Sequence, residues 1–208
     1  MDNTLADLVK HLEKKGLLKT PVIREALLAV DRKNFVAPGE EEYAYADSAL
    51  LLADGQTISQ PSTVVFMLEL LNVQKGNAIL DVGAGSGWVS CLMGHLTGES
   101  GKIYAYEVNQ TVGALGYASV VANGCKNVEY LVADASKEWQ KYAPYDRIYS
   151  GAAFDRIPED LKRLLAVGGI LVAPTQDGYI NKITRKRDTE YEVEEFYGFL
   201  FVPFVKKG

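Results

Sequence analysis

Cysteine and histidine are scarce in this chain of 208 residues. It contains only two of each, Cys91 and Cys125, and His11 and His95. Two thiols so far apart, neither in a Cys-x-x-Cys pair, predict unpaired side chains in a reducing compartment rather than a disulfide framework. A zinc site usually needs three or four clustered cysteine, histidine or acidic ligands, so this composition argues against one. We therefore expect no disulfide framework and no bound metal, with both thiols dispensable for activity.

Positive charge and long apolar runs are also lacking. Lysine and arginine number 22 against 27 acidic residues, which gives a formal net charge of −5. Because a nucleic-acid partner requires a basic face, we expect none, and the basic residues 185–187 are interpreted as a solvated hairpin tip. No apolar run is long enough to cross a bilayer, and the first residues do not have the pattern of a secretory signal. The expected location is the cytoplasm, away from membranes.

The length and composition favour a single domain. With 48% hydrophobic residues, the chain can bury one sizeable core. Apolar residues at helical spacing predict a first helix that stops near Gly16, and Thr20-Pro21 predicts the capped start of a second helix. An irregular stretch at 35–54 predicts a surface loop. We expect one domain over residues 1–208, with a helical extension and loop at 1–60 and the core at 61–208.

From residue 61 onward, short apolar runs alternate with helical patterns. This alternation is typical of an α/β fold with a doubly wound, mostly parallel sheet that helices cover on both faces. In the tail, by contrast, the pattern predicts antiparallel strands. The predicted strands of the alternating part are 78–82, 103–106, 128–132, 147–149 and 169–173, with a helix at 89–96, and those of the tail are 179–184, 191–196 and 199–205.

A glycine-rich turn, Asp-Val-Gly-Ala-Gly-Ser-Gly from Asp81 to Gly87, follows the first strand of this alternation. Glycines let a backbone approach a ligand closely, and a strand–turn–helix of this kind is typical of nucleotide sites. A phosphate loop is excluded because no Gly-Lys-Ser/Thr follows, and the glycine spacing differs from that of dinucleotide-binding proteins. On the turn alone, a tight connection without a ligand stays open. If a ligand binds, Gly83, Ala84 and Gly85 are predicted to contact it.

Acidic residues stand at the ends of three successive predicted strands. Glu107 ends the second strand, and a right-handed crossover brings it beside the glycine turn, where it can accept both hydroxyls of a ribose. Asp81 ends the first strand and can attract an ammonium group, whereas Asp134 follows the third and can accept from an adenine amino group. Val108 and Ala135, next to two of these acids, are predicted to contact the same ligand. A cationic adenosine without phosphate suits this set, which predicts S-adenosyl-L-methionine.

These motifs belong to a resemblance that covers the chain from about residue 32 to 205. The sequence resembles the protein-L-isoaspartate (D-aspartate) O-methyltransferases, a family of class I S-adenosylmethionine-dependent methyltransferases. The resemblance implies a Rossmann-like, seven-stranded sheet with an antiparallel C-terminal strand, a monomer, and methyl transfer to the free α-carboxylate of L-isoaspartyl residues in damaged proteins. The ester then collapses to a succinimide that partly reopens as aspartate, which initiates repair. The segments that carry the resemblance are 31–32, 35–36, 55–61, 81–87, 145–148, 152–153, 158–161, 168–169, 174 and 201–203.

The segment 57–61 is expected to bind the methyl acceptor. A carboxylate with a pKa of about 4 is already ionised at neutral pH and needs no general base. Pro61 suits the first position of a helix, whose N-terminus offers free N–H groups and partial positive charge to an anion. The resemblance implies that Ser59 is catalytic, as a hydroxyl donor to the attacking carboxylate, and that Thr57, Ile58 and Gln60 bind substrate. From the residues alone, a simple turn and helix cap stays open.

Some positions depart from the family pattern. Ala133 and Ala135 flank Asp134 where glycines are usual, and Trp88 replaces a common tyrosine. Ser62 stands where an aromatic residue or histidine is usual, and residues 175–176 stand where glycine is expected. We expect the positions 133–135 and 175–176 to lie at the pocket rim and to affect the substrate range. Two alternatives stay open: a carboxylate methyltransferase that acts on a biosynthetic peptide aspartate, and a cofactor-binding adaptor without catalysis.

Overall fold

The structure, a computed structural model, describes residues 4–206 and contains one large sheet with helices on both faces. The helices are α1 (Leu5–Lys14), α2 (Pro21–Ala29), α3 (Pro61–Leu71), α4 (Trp88–Thr97), α5 (Gln110–Ala122), α6 (Ala135–Glu138) and α7 (Glu159–Arg163), with 3₁₀ turns at Arg32–Phe35 and Glu41–Tyr43. The strands are β1 (Leu50–Leu51), β2 (Thr57–Ile58), β3 (Ala78–Val82), β4 (Lys102–Glu107), β5 (Val128–Val132), β6 (Tyr145–Ser150), β7 (Leu165–Pro174), β8 (Tyr179–Arg185) and β9 (Tyr191–Tyr197).

Within residues 4–206, the large sheet has seven strands in the order β5-β4-β3-β6-β7-β8-β9. The neighbours from β5 to β7 are parallel, whereas β8 is antiparallel to both β7 and β9. The chain builds outward from β3 through β4 to β5 and then returns to the other side of β3 with β6. Ligands of such sheets bind at the carboxyl ends of the strands where the order reverses, so this topology points to the end of β3.

An apolar cluster lies on each face of the sheet, as expected from the alternation of strands and helices along the sequence. One face packs against α1 to α4 and includes Ile79, and the other packs against α6 and α7 and includes Leu80. Both side chains are fully buried, as expected for a parallel strand covered on both sides. The predicted doubly wound α/β fold is confirmed, and each of the five predicted core strands lies within an observed strand.

The first two helices pack as the periodicity predicts, but the predicted cap of α2 has another contact. Leu8, Val9 and Leu12 of α1 are buried. The Thr20 side chain does not cap α2 and instead donates to Glu69 of α3 at 2.6 Å. The same carboxylate accepts the backbone N–H of Thr20 at 2.8 Å. Glu69 thus attaches the start of α2 to the core, a tertiary contact that the local sequence does not encode.

The structure differs from two further predictions for the C-terminal part of the chain. Residues 199–205 do not form a strand: they make only an isolated bridge, between Pro203 and Ala153, which follows β6. The basic tip at 185–187 is only partly solvated, because Arg185 donates to the carbonyls of Arg163 and Leu165. Among residues 4–206, no helix is long and apolar enough to cross a membrane.

The two cysteines are joined in a disulfide, so the prediction of unpaired thiols was wrong. Cys91 lies on α4 and Cys125 follows α5, with their Cα atoms 5.7 Å apart. The two helices flank β4 on the same face of the sheet, which brings together residues separated by 34 positions. Cysteine spacing alone does not reveal such a pairing, because it depends on the packing of elements distant in sequence.

Candidate active site

A cavity of about 280 Å³ opens at the carboxyl ends of β3 and β4, where the sheet order reverses. Its walls come from the glycine turn, the ends of these two strands, residues 57–59 and the tail at 202–205. Of the predicted cofactor residues, Asp81, Gly83, Ala84, Gly85, Glu107, Val108 and Ala135 line this cavity. The chain thus brings together distant segments at the position that the topology favours.

The glycine turn depends on conformations that other residues rarely adopt. Gly83 has φ of 73°, and a Cβ atom there would lie 3.1 Å from the Cβ of Ala152. Gly87 has φ of 80°, and its Cβ would lie 2.5 Å from Val120. The turn is also bound to β4, because the N–H groups of Gly83 and Ala84 both donate to the Tyr106 carbonyl, at 2.9 and 3.0 Å. The backbone therefore forms a fixed wall of the cavity.

The Glu107 carboxylate lies beside this turn, as predicted. One oxygen accepts the Gly85 N–H at 3.0 Å and the other accepts the Asn109 N–H at 2.9 Å. The side chain is 8% exposed, which leaves it a small surface at the cavity. Because each carboxylate oxygen can accept more than one hydrogen bond, both can also accept hydroxyl groups of a ligand. The two backbone donors fix the orientation of the carboxylate.

Asp81 is fully buried and only half paired. Its Oδ2 accepts the Ser90 hydroxyl at 2.5 Å, whereas Oδ1 has no hydrogen-bond partner within residues 4–206. Burial, reinforced by the charge of Glu107 and opposed by the Ser90 hydrogen bond, raises the pKa of Asp81 to about 7. An unsatisfied buried acceptor is costly, and a cationic ligand would relieve it. Asp81 and Glu107 together suit a cationic adenosine ligand without phosphate.

Asp134 is next to the cavity but is engaged in local structure. Its Oδ1 accepts both the N–H and the hydroxyl of Ser136, at 2.9 and 2.7 Å, and so caps α6. The flanking residues Ala133 and Ala135 line the cavity. A contact between Asp134 and an adenine amino group therefore stays a prediction. The expected position at the pocket is therefore observed for Ala133 and Ala135, whereas their effect on the substrate range stays a prediction.

A second, wider cavity adjoins the first and extends toward the surface. It has a volume of about 710 Å³, and its lining is mostly apolar, with hydroxyl and amide side chains from 57–63. The two cavities share residues from opposite sides of their junction, namely Thr57, Ser59, Gly151 and Val202. Among the predicted acceptor residues, Ile58 lines only the first cavity and Gln60 only the second. Ser59 thus lies where the cavities meet.

At the N-terminus of α3, one backbone N–H that we expected to be free for the acceptor already has a partner. Pro61 begins the helix as expected, but the Ser62 N–H donates to Oδ1 of Asp47 at 2.9 Å. The other oxygen of Asp47 accepts the Lys15 ammonium at 3.1 Å. Although burial opposes ionisation, these contacts hold the pKa of Asp47 below its usual value. The chain's own carboxylate thus takes a helix donor that we expected to be open to the acceptor.

The sequence interpretation missed several residues of the site. Tyr106, Tyr149 and Gly151 line the first cavity, and Phe66 and Leu200 line the second. Their positions on core strands, a helix and the tail carry no local signal of a site.

The departures from the family pattern fall in different places. Ser62 lines the second cavity and Trp88 the first, with the Trp88 indole N–H donating to the Val30 carbonyl at 3.2 Å. Thr175 lines neither cavity: its hydroxyl donates to the Tyr179 carbonyl at 3.3 Å and accepts from the Asn181 amide at 3.1 Å. An effect of Thr175 on the substrate range stays a prediction.

Curated relatives match this chain over nearly its whole length. It is 35% identical to a protein-L-isoaspartate O-methyltransferase of Ignicoccus hospitalis, with all of both chains covered. It is also 35% identical to a protein of the same name from Methanosarcina mazei, over 96% of this chain and 82% of that protein.

Solved structures agree in fold. A putative protein-L-isoaspartate O-methyltransferase from Plasmodium falciparum, in complex with S-adenosyl-L-homocysteine, superposes with a TM-score of 0.86 at 22% identity and covers 97% of this chain and 98% of that one. The family model described as Protein-L-isoaspartate(D-aspartate) O-methyltransferase matches residues 3–208. The chain therefore belongs to the protein-L-isoaspartate (D-aspartate) O-methyltransferase family.

Proposed function

We propose that this chain is an S-adenosyl-L-methionine-dependent protein carboxyl methyltransferase that methylates the free α-carboxylate of L-isoaspartyl residues. The observation that carries the proposal is the position of Ser59 in the walls of both cavities. Relatives 35% identical over almost the full chain bear the name of this activity. The methyl ester would form a succinimide and begin the repair of a damaged protein.

The first cavity suits S-adenosyl-L-methionine. Glu107, held by two backbone N–H groups, would accept the ribose hydroxyls, and Asp81 would face the ammonium group with its unpaired oxygen. The rest of the nucleoside would contact the glycine turn, Val108 and Ala135. The amino group of the adenine would donate to Asp134. When bound, the cofactor supplies an electrophilic methyl group on a sulfonium. By charge, Glu107 would disfavour a phosphate on the ribose, and Asp81 would disfavour an anionic group beside the glycine turn.

The second cavity would bind the acceptor peptide. With a peptide bound, its mostly apolar lining would limit the access of water to the junction, and the Ser59 hydroxyl would donate to the acceptor carboxylate there. Thr57 shares the junction, whereas Ile58 and Gln60 would shape its two sides. An isoaspartyl residue presents its α-carboxylate on a short arm, because the chain continues through its side chain. No proton has to be removed, so the chain's task is to orient the carboxylate and exclude water.

The assembly and location are part of the same proposal. The family resemblance supports a monomer that acts on proteins and peptides. The net charge of −5 argues against a nucleic-acid partner, and we propose the cytoplasm as the location. The disulfide removes the support that the two thiols gave to a reducing compartment, but some intracellular proteins of hyperthermophiles also contain disulfides. Sedimentation of the purified protein tests the monomer directly.

A comparison of two peptides tests the proposed activity. The peptides have the same sequence and differ only in one residue, which is L-isoaspartyl in one and L-aspartyl in the other. With S-adenosyl-L-methionine present, we expect rapid methyl transfer to the isoaspartyl peptide and little to its partner. A preference for the aspartyl peptide would favour the biosynthetic alternative. Cofactor binding without transfer to either peptide would favour the adaptor.

A further inference from the structure

Arg32 is a buried cation whose hydrogen bonds all go to backbone carbonyls within residues 4–206. It lies at the start of the 3₁₀ turn Arg32–Phe35 and has no solvent exposure. Nη1 donates to the carbonyls of Ala44 and Ala46, at 2.7 and 3.4 Å. Nη2 donates to those of Ser48 and Ser59, at 3.0 and 3.1 Å. One planar group thus holds four carbonyl oxygens from two separate segments.

The burial of this guanidinium is costly. Burial lowers the pKa of Arg32 to about 10, although the charge of Asp47 partly opposes this shift. Its Nε atom has no hydrogen-bond partner among the described residues. A buried cation is costly unless hydrogen bonds and charge partners compensate for its lost hydration, and here four carbonyls accept its hydrogen bonds. At Arg32 this buried cation is bonded directly to the backbone of Ser59.

The bonds of Nη2 close the open end of the small β1–β2 hairpin. In that hairpin Leu50 pairs with Ile58, and the carbonyls of Ser48 and Ser59 lie just beyond this pair. The same Nη2 atom connects those two carbonyls. The backbone of Ser59 is therefore held by the strand pair before it and by Arg32 at the residue itself.

A second set of bonds connects the same two segments. The Gln60 side chain donates to the Asp47 carbonyl at 2.8 Å, and the Asp47 carboxylate accepts the Ser62 N–H at 2.9 Å. Arg32 itself lies over the Trp88 ring, 5.4 Å from its centroid, and Trp88 lines the first cavity. The guanidinium thus lies between the wall of the first cavity and the backbone of the junction residue.

We infer that Arg32 is a positioning residue for methyl transfer: its guanidinium fixes the segment 44–48 against residues 59–62 and thereby sets the Ser59 hydroxyl at the junction of the two cavities. This inference rests on the proposed function. The planar fork of arginine holds carbonyls on both of its terminal nitrogens, whereas the single ammonium of lysine keeps the charge but cannot span them in the same geometry. The charge alone does not suffice.

The test is Arg32→Lys, with Arg147→Lys as a matched control. Arg147 is also buried and donates to carbonyls, at 3.1 and 2.9 Å to Asn72 and 2.7 Å to Asp146, but it lies near the amino end of β6, away from the cavities. Single-turnover methyl transfer to an isoaspartyl peptide is measured per cofactor-loaded molecule. Arg32→Lys should slow it about 10- to 100-fold, as expected for a misplaced reacting group. Arg147→Lys should destabilise the fold and leave this rate unchanged.

A double mutant distinguishes positioning through Ser59 from a separate effect. If Arg32 acts through Ser59, adding Arg32→Lys to Ser59→Ala should slow transfer less than twofold further, because the hydroxyl that it positions is already gone. Affinity for S-adenosyl-L-homocysteine should stay within about threefold of wild type in both single variants. A wild-type rate for Arg32→Lys, or a full multiplicative loss in the double mutant, overturns the inference. If Arg32→Lys does not fold, Arg32→Gln gives the same comparison.

Hydrogen exchange decides the inference independently of activity. In Arg32→Lys, amides of residues 44–49 and 57–63 should exchange faster than in wild type, whereas Arg147→Lys should leave them unchanged. If the wild-type protein methylates no isoaspartyl peptide, the proposed function fails, and hydrogen exchange still tests whether Arg32 fixes the two segments against each other. Unchanged exchange in both segments overturns this role of Arg32, whatever the activity of the wild-type protein.

Discussion

Opening the disulfide between Cys91 and Cys125 should destabilise the protein without affecting the chemistry of the site. The bond joins residues 34 positions apart, and it closes a loop that contains β4 and α5. For a loop of this length, the chain-entropy relation gives a loss of about 4 kcal/mol in the free energy of unfolding at 25 °C. Strain and residual structure in the unfolded chain reduce such values, so we expect a loss of about 2–4 kcal/mol.

Urea unfolding with and without dithiothreitol measures this loss. Thiol titration confirms that the bond has opened, and the double variant Cys91→Ala/Cys125→Ala, which cannot respond to dithiothreitol, is the control. Because neither cysteine lines a cavity in the described residues, methyl transfer per folded molecule should not change. An unchanged free energy of unfolding after verified reduction would refute the entropic argument. A large fall in turnover by a fully folded, reduced protein would refute the separation of the bond from the site.

Three further predictions concern the two cavities. Glu107→Ala should weaken S-adenosyl-L-homocysteine binding in calorimetry by about 1–3 kcal/mol, since Glu107 would accept the ribose hydroxyls; unchanged affinity would remove that assignment. The pKa of Asp81 is 3.8 in the unfolded chain and about 7 in the folded protein, so the folded state binds more protons between these values. The contribution of Asp81 to the stability of the ligand-free protein should therefore fall as the pH rises through this window, and urea titrations at each pH should show this fall in wild type relative to Asp81→Asn. Ser59→Ala should keep cofactor affinity while methyl transfer falls about 10²–10³-fold, and a wild-type rate would show that the acceptor binds elsewhere.

Local pattern accounts for most of the sheet and for the cofactor side of the site. Buried parallel strands such as β3 are short apolar runs, so their positions can be predicted from the local order of apolar residues and turn residues. The topology of alternating strands and helices then brings the end of β4 to the glycine turn, which is how Glu107 comes to accept the Gly85 N–H. Residues that follow from periodicity and connection rules were therefore predictable.

Contacts that depend on tertiary packing were not predictable. The disulfide arises because α4 and α5 pack side by side. Asp47 accepts an N–H of the first turn of α3 although it lies 15 positions before that donor in the chain. Arg32 is part of a segment shared with the family, but nothing in the sequence indicates that its side chain binds the Ser59 carbonyl. The apolar residues of 199–205 predicted a strand, yet their side chains and backbone line the two cavities instead.

The most direct test of the central claim is a time course of one isoaspartyl peptide incubated with the protein and S-adenosyl-L-methionine and followed by mass spectrometry and chromatography. We expect a methyl ester at the α-carboxylate of the isoaspartyl residue first. The ester should then lose methanol to form a succinimide, which should open to a mixture that includes the normal aspartyl peptide. The same peptide incubated with Ser59→Ala should remain almost unmodified over this period. A peptide that stays unmodified with the wild-type protein, or a methyl group at another position, would contradict the account.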